Sequence, residues 1–289
     1  MRTIVTGAAG RLGGRLKQIL EGRGYDVVGV DIVPGEGIEQ LDLADYDATH
    51  KFIYARRPEV VIHPAAWTDV DGCARDPEKA ILVNGFGTQH VALATAAVKA
   101  AVVYISTNEV FDGRSARPYR EYDPPAPVNA YGYSKWVGEQ ATLHLNPHHY
   151  IVRTSWLFAH GGKNFIQTIL NAAQAGKKLR VVTNEVANPT YNDDLADALA
   201  SLIETGRYGI YHLVNEGAVS RYHFARYFLD RAGYADTPIE PITGQEYPRP
   251  STPPVYCSLD NMAGRHIGIT LRPWREAVDA FLAKEGLLK

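Results

Sequence analysis

Tyr131-Gly132-Tyr133-Ser134-Lys135 sets a phenol and an ammonium four residues apart, which on a helix puts them on one face. A free phenol titrates near pH ~10 and exchanges protons poorly at neutrality. A lysine cation beside it favours the phenolate and is expected to lower that value, making Tyr131 a general acid–base group. Tyr133 stands only two residues before Lys135 and is expected to face away. Tyr and Lys at this spacing also occur as plain surface neighbours, so the pair gains meaning from Ser106-Thr107, upstream at the end of an apolar run. Open α/β sheets place their sites at the carboxyl ends of strands; a hydroxyl on Thr107 there can bond a substrate oxygen and steer the phenol.

A second set of residues has the character of a dinucleotide site. Gly7-Ala8-Ala9-Gly10-Arg11-Leu12-Gly13 follows a strand-like run and opens a helical one, in G-x-x-G-x-x-G rather than G-x-G-x-x-G spacing. Glycine permits the tight turn and lets backbone approach a pyrophosphate, while a helix N-terminus adds N–H donors and a favourable dipole. Gly7, Gly10, Arg11, Leu12 and Gly13 are therefore candidate cofactor contacts. Asp31 ends the next apolar run, where an acid would hold the adenosine ribose hydroxyls; a turn aspartate before Pro34-Gly35 is the structural alternative. An acid there repels a 2′-phosphate, and Ile32 and Val33 bring no compensating cation, although Arg11 does. NADH is expected to be accepted, with NADPH left open. Asp42, next to Leu43, stands where a side chain reaches the adenine amino group, with helix entry as an equal alternative. Ala65 and Ala66, after His63-Pro64, leave room for the cofactor backbone.

These groups need a scaffold that presents them together. Within the first 155 residues, Val- and Ile-rich runs at 3–6, 26–30, 60–63, 102–106 and 150–153 alternate with periodic stretches at 11–22, 46–56, 78–100 and 130–145. Strands apolar almost throughout are those buried on both faces of a parallel sheet, and their alternation with helices predicts an α/β fold with a Rossmann-type doubly wound parallel sheet. Beyond Trp156 the rhythm loosens into helix 164–175, strand 179–182, helix 193–204, strand 209–214, helix 221–231 and a last helix 274–285. Asn192-Asp193-Asp194 reads as a helix start. The proline-rich segment 238–254 reads as irregular, exposed or lining a cleft, since proline neither donates to a ladder nor continues a helix. The expected plan is a dinucleotide-binding domain of residues 1–155 and about 178–215, with a smaller, discontinuous C-terminal substrate domain of about 156–177 and 216–289.

The 289 residues are 45% hydrophobic and 21% charged, an ordinary balance for a globular enzyme, with a formal net charge of -2. Without a basic block, neither nucleic acid nor a membrane surface is an expected partner; a small anionic substrate would need only a few local arginines. The longest mostly apolar stretch, 91–105, is broken by Lys99 and too short to span a bilayer. Cys73 and Cys257 stand far apart, which excludes a disulfide framework and suits a reducing compartment. The chain enters directly on the strand pattern Arg2-Thr3-Ile4-Val5-Thr6, so no signal peptide and a cytoplasmic location are expected. His144, His148 and His149 cluster at a helix end without cysteines or carboxylates at ligand spacing, and no metal is expected there.

In order and placement these residues resemble the extended short-chain dehydrogenase/reductase superfamily and, within it, the dTDP-4-dehydrorhamnose reductase family. Besides the glycine turn, Ser106–Gly113 and Tyr131–Lys135, the likeness is carried by Ala66-Trp67-Thr68-Asp69-Val70-Asp71, Val83-Asn84, Arg153-Thr154-Ser155-Trp156, Asn188-Pro189-Thr190, Tyr211-His212-Leu213 and Leu271-Arg272-Pro273-Trp274. The Arg-Thr-Ser-Trp and Pro-Thr elements are more specific than the glycines. The resemblance implies NADH- or NADPH-dependent reduction of the C4 ketone of a nucleotide-linked 4-keto-6-deoxy-hexose, with Tyr131 protonating the developing alkoxide. It further implies that Lys135 holds the cofactor ribose, Thr107 orients the substrate, Trp156 contacts the sugar nucleotide, and Asn108 and Glu109 lie beside the sugar.

Several positions depart from that family. It reads Ser-Thr-Asp-Tyr-Val-Phe where this chain has Ser106-Thr107-Asn108-Glu109-Val110-Phe111. Glu109 is similar to the glutamate of the Thr-Asp-Glu in sugar-nucleotide 4,6-dehydratases, but Asn108 has no acidic proton for a leaving hydroxyl, which disfavours dehydration. Pro253-Pro254 stand where relatives carry Arg-Pro; either Arg249 substitutes toward a diphosphate from the same loop, or the diphosphate is held more weakly. Arg15 stands where some relatives hold magnesium through a glutamate, so the expected metal is none. A non-catalytic dinucleotide-binding regulatory subunit and a sugar-nucleotide epimerase or dehydratase are the alternative readings. The partner implied is a nucleotide-sugar small molecule, and a homodimer is the assembly considered.

Overall fold

A computed structural model describes residues 1–162 and 164–289, to which all counts below refer. The chain opens with β1 (Arg2–Thr6), α1 (Arg11–Gly22), β2 (Asp26–Asp31), β3 (Ile38–Gln40), α2 (Tyr46–Arg56) and β4 (Val60–His63). Next, α3 (Val70–Arg75) and α4 (Pro77–Ala80) lead through a π-helical turn (Ile81–Phe86) into α5 (Gly87–Ala97). β5 (Ala101–Thr107), a 3-10 turn (Asn108–Val110), α6 (Ala130–Leu145) and β6 (His149–Thr154) complete the first half. The later elements are β7 (Leu157–Phe158), α7 (Phe165–Gln174), β8 (Leu179–Val182), β9 (Val186–Ala187), β10 (Thr190–Tyr191), α8 (Asn192–Leu202), β11 (Gly209–His212), β12 (Val219–Ser220), α9 (Arg221–Arg231), β13 (Ile239–Ile242), α10 (Met262–His266) and α11 (Trp274–Lys284).

Seven strands make one parallel sheet in the order β11-β6-β5-β4-β1-β2-β3. Successive side chains point to opposite faces of a strand, so β1 sends Val5 to one core and Ile4 to the other. The Val5 side meets Leu12, Leu16 and Leu20 of α1 and Leu195, Leu199 and Leu202 of α8. The Ile4 side meets Ile53 of α2 and Val91 of α5. This is the expected doubly wound Rossmann-type sheet, and its strand order reverses between β1 and β4, where such sheets open a ligand crevice beyond the strand ends. Gly7, Ala65 and Thr107 follow or end three of these strands, at the rim of that crevice.

A second apolar cluster joins Ile166 and Leu170 of α7, Phe224 and Phe228 of α9, and Phe281 of α11 with Leu179 and Val181 of β8. The segment around 178–182, expected with the dinucleotide-binding part, instead pairs β8 in parallel with β13 and packs in this second cluster. Four residues are too few to show which of two sheets will take them. The stretch 238–254 is likewise not wholly irregular: β13 runs through Pro241, tolerated because the strand lies in a two-stranded sheet whose outer side makes no ladder. The single helix expected over 78–100 is broken by the π-helical turn and stops at Ala97. Among the described residues no helix is long and apolar enough to cross a membrane.

Candidate active site

α6 starts at Asn129, whose side-chain oxygen accepts the Gly132 N–H at 2.8 Å. Its amide nitrogen donates to Glu109 at 2.7 Å and to the Thr252 carbonyl at 3.2 Å. One asparagine therefore ties the helix start, the turn after β5 and a late loop together. The helix presents Tyr131 and Lys135 toward the end of β5, where the Thr107 hydroxyl is in hydrogen-bond reach of the phenol. Thr107 also accepts the Glu109 N–H at 3.2 Å and donates to Asn108 at 3.3 Å. Tyr133 is exposed, as its offset from Lys135 requires.

Lys135 is only 2% exposed, with its ammonium 4.2 Å from the centre of the Tyr104 ring. Burial brings its pKa down to about 7, against the pull of the Glu139 and Cys73 charges. Tyr131 moves opposite to expectation. Burial, then the Glu109 charge, hold its phenol above the ordinary value, and the Thr107 hydroxyl counters only part of this. Lys135 is not among the groups that set this shift; the cost of removing a phenolate from water sets its direction. Behind Lys135, Glu139 is fully used: it accepts Ser106 at 2.6 Å and a two-point contact from Arg153 at 2.8 and 2.7 Å.

Asn84, in the π-helical turn, positions α6 from its other side. Its amide donates to Ser134 Oγ at 3.0 Å and to the Trp67 carbonyl at 3.1 Å, while its oxygen accepts the Trp67 N–H at 2.7 Å. Such turns recur where a helix is locally reshaped at a working site.

At the glycine turn, Gly7 takes a φ of +60°, and a Cβ on it would meet Ala65 Cα at 2.9 Å. A Cβ on Gly13 would lie 2.2 Å from the Gly7 carbonyl oxygen, so this turn requires bare backbone. No side chain caps α1 at Gly10, which keeps its N-terminus available to a pyrophosphate, and the donor set suits a dinucleotide. Leu12 points into the core, leaving only its backbone for such a contact. Asp31 accepts the Ala9 N–H and the Val33 N–H, each at 3.0 Å, so it braces the turn; carboxylate oxygens accept more than one hydrogen bond, which leaves capacity for ribose hydroxyls. Asp42 accepts the Ala44 N–H at 2.9 Å and leads into the capped start of α2, the helix-entry arrangement. The Leu43 carbonyl pairs with the His90 ring at 2.9 Å, and Ala65 and Ala66 are half-buried beside the turn. Arg15 pairs with Asp193 at 3.1 Å.

A second pocket wall is built from Asn108, Glu109, Trp156, Glu185, Arg221 and Arg249, around about 20 Å³ of free space. Asn108 lines the pocket, but its amide donates to the Cys257 carbonyl at 2.9 Å and its oxygen accepts Thr107, so its polar groups chiefly hold the turn. Burial raises the Glu109 pKa, opposed by Asn129 and by the Arg249 and Arg221 charges. Trp156 adopts a φ of +43°, unusual for a bulky residue, and the Arg221 guanidinium stacks 3.5 Å from its ring centre. Sequence reasoning missed Asn129, Glu185 and Arg221. Asn129, directly before a helix, carried a capping signal; nothing local marks Glu185 or Arg221, which reach the pocket through β9 and β12.

The family model described as the RmlD substrate binding domain matches residues 1–286. The spore coat polysaccharide biosynthesis protein SpsK of Bacillus subtilis is 37% identical, over 97% of this chain and 96% of its own length. The dTDP-4-dehydrorhamnose reductase of Mycobacterium tuberculosis is 36% identical, over 98% of this chain and 92% of its own. Among solved structures, dTDP-4-dehydrorhamnose reductase from Bacillus anthracis in complex with NADP superposes with a TM-score of 0.91 at 34% identity, covering 98% of this chain and 99% of the other.

Proposed function

The chain belongs to the RmlD substrate binding domain family, whose dTDP-4-dehydrorhamnose reductase members are oxidoreductases, and from that premise we propose that it reduces the C4 ketone of a nucleotide-linked 4-keto-6-deoxy-hexose with NADPH or NADH. The observation that carries this reading is the meeting of Thr107 and Tyr131 at the carboxyl end of β5, with Lys135 buried one helical turn further along α6. A bound reduced nicotinamide supplies the hydride. Tyr131 donates its proton to the oxygen that becomes an alkoxide, a base far stronger than phenolate. A raised pKa suits this direction, since the phenol stays protonated until that base forms. Thr107 holds the carbonyl oxygen and the phenol in register. Lys135 anchors the nicotinamide ribose, and the backbone of Gly7–Gly13 receives the pyrophosphate.

Replacement of the family's aspartate by Asn108, itself turned toward Cys257, supports reduction over dehydration, because no acid stands there to expel a hydroxyl. The test is cofactor oxidation with a dTDP-4-keto-6-deoxy-hexose. One equivalent of NADPH or NADH should be consumed per ketone lost, with the alcohol identified by NMR. A cofactor that binds but is never oxidised by any such sugar nucleotide would overturn the proposal in favour of a regulatory subunit.

A further inference from the structure

Tyr104 grips Lys135 at both ends. It stands in β5, fully buried, opposite His63 of β4 and Ile151 of β6 in the ladder. Its hydroxyl donates to the Lys135 carbonyl at 3.1 Å, while the Lys135 ammonium lies 4.2 Å from the centre of the same ring. The phenol reaches that carbonyl because α6 is bare at Gly138, where a Cβ would lie 2.3 Å from the Tyr104 hydroxyl. Burial, then the Glu139 charge, hold the Tyr104 phenol well above its ordinary value, so it stays a donor.

Among the described residues the Lys135 ammonium makes neither a hydrogen bond nor an ion pair, so the ring face is its close contact. The other groups around it act from further off or without charge. Glu139, one turn along α6, is committed to Ser106 at 2.6 Å and to Arg153 of β6 at 2.8 and 2.7 Å. Cys73 of α3 presents a thiol that burial pushes up to about 11. Tyr131 of α6 is a protonated phenol, and Glu109, in the turn after β5, acts on Tyr131 and Cys73. His63 lies beside Tyr104 with ring centres 5.8 Å apart, and burial, then the Lys135 charge, take its pKa down to about 3. Its neutral form is matched on both sides. Thr88 gives its hydroxyl proton to the Asn84 carbonyl at 2.6 Å and so accepts from Nε2 at 3.1 Å, while Nδ1 accepts from Thr6 at 2.7 Å.

A π face attracts a cation through its quadrupole, adds no charge and takes up no N–H. A carboxylate in that place would hold the ammonium more strongly, but it would occupy donors and raise the pKa. With a ring there instead, the N–H groups remain for oxygen acceptors entering the crevice, and the cation titrates near neutrality.

We propose that Tyr104 is a positioning residue for the reaction: its ring is the seat of the Lys135 ammonium, and its hydroxyl fixes the helical turn that carries Lys135. The inference rests on the reductase reading for what Lys135 does in turnover, and on the contacts alone for how Lys135 is held.

The full chain, made with isotope-labelled lysine, is titrated by NMR, with Lys135→Met assigning the signal. Lys135, at about 7, should move well before lysines at an ordinary ~10.5. Tyr104→Phe keeps the ring and should leave this midpoint within about 0.3 pH units. Mono-, di- and pentafluorophenylalanine at position 104 keep nearly the same shape with a progressively electron-poor face. They should lower the midpoint stepwise, by about one pH unit for the pentafluoro ring, because the ammonium loses its seat. The falling limb of kcat/KM should follow. Above both midpoints the pentafluoro variant should be about tenfold slower than Tyr104→Phe, and at pH about 5 the two should agree within about twofold. A role in packing alone moves neither the midpoint nor the limb between rings of one shape.

Equal midpoints across the fluorinated series, a midpoint that rises along it, or a wild-type Lys135 that titrates with the ordinary lysines would each overturn the proposal. If the midpoints fall as expected but no 4-keto sugar is reduced, the seat stands and the reductase reading fails. If the ketone is reduced while all the rings titrate alike, the seat alone fails.

Discussion

On the proposed mechanism Tyr131 is the proton donor, and its burial keeps that proton in place until a strong base forms. Burial and Glu109 keep the phenol protonated, and only a strong base such as a developing alkoxide draws the proton off. Tyr131→Phe should therefore cost about 10²- to 10⁴-fold in turnover while cofactor affinity, read by fluorescence titration, stays within about twofold. Lys135 is the group that titrates near neutrality. With a pKa of about 7 it loses its charge as pH rises through that value, so kcat/KM of the free enzyme should fall above pH about 7 to 8. The same shift bears on stability. An unfolded lysine keeps its proton up to an ordinary 10.5, whereas the folded one releases it near 7, so this group's contribution to stability rises with pH between those values and is lowest below 7, where the buried charge is fully present. Lys135→Met should thus be more stable at pH 7, on the order of 1–4 kcal/mol by urea unfolding, although inactive. Equal or lower stability would show that the buried ammonium is well compensated.

Helix α6 meets the turn after β5 at very short range. A Cβ placed on Gly132 would lie 2.1 Å from the Glu109 carbonyl oxygen, so the helix start touches backbone directly. Gly132→Ala has to push α6 outward, carrying Tyr131 from Thr107. We expect a stability loss of about 1–3 kcal/mol with a drop in kcat larger than that of a remote destabilising variant. Normal kcat in Gly132→Ala would mean that the helix start absorbs the methyl group without moving the phenol. The π-helical turn contributes from the opposite side, since the Asn84 amide reaches Ser134 on α6 and Trp67 after β4 in one span.

Polar ties join the cores of the parallel sheet to the apolar cluster of the later elements. Asn188 accepts Ser258 at 2.9 Å and the Leu259 N–H at 2.8 Å, and its carbonyl accepts Ser155 at 2.5 Å. Arg272, just before α11, contacts Asp194 of α8 at 2.9 and 2.7 Å, fastening the end of the chain to a helix of the first core. With the cores so joined, a ligand of the glycine turn should stabilise the molecule as one unit. NADPH at a hundredfold excess over its Kd should add about 2.7 kcal/mol, seen as a single melting transition several degrees higher. NADH run alongside measures how far Arg11 offsets the repulsion of the 2′-phosphate by Asp31. Two separated transitions, only one of them moved, would show that the ties do not couple the cores.

Alternation of buried strands with periodic helices, the bare glycine turn and the spacing of Tyr131 and Lys135 are local patterns, and each was legible before any coordinates. β4, α1, α2, α6 and α9 begin and end where their residues indicate, because periodicity and end signals act within a few residues. Two-residue strands such as β9 and β12 leave no periodic trace, so the delivery of Glu185 and Arg221 to one pocket was decided by pairing between distant segments. The pKa of Tyr131 was decided there too: the lysine four residues on could be read from the chain, but the desolvation that raises the phenol arises only when the pocket closes around it. Short-range geometry is written in neighbouring residues, whereas charge balance depends on everything that folding brings near, and that sum exists only in three dimensions.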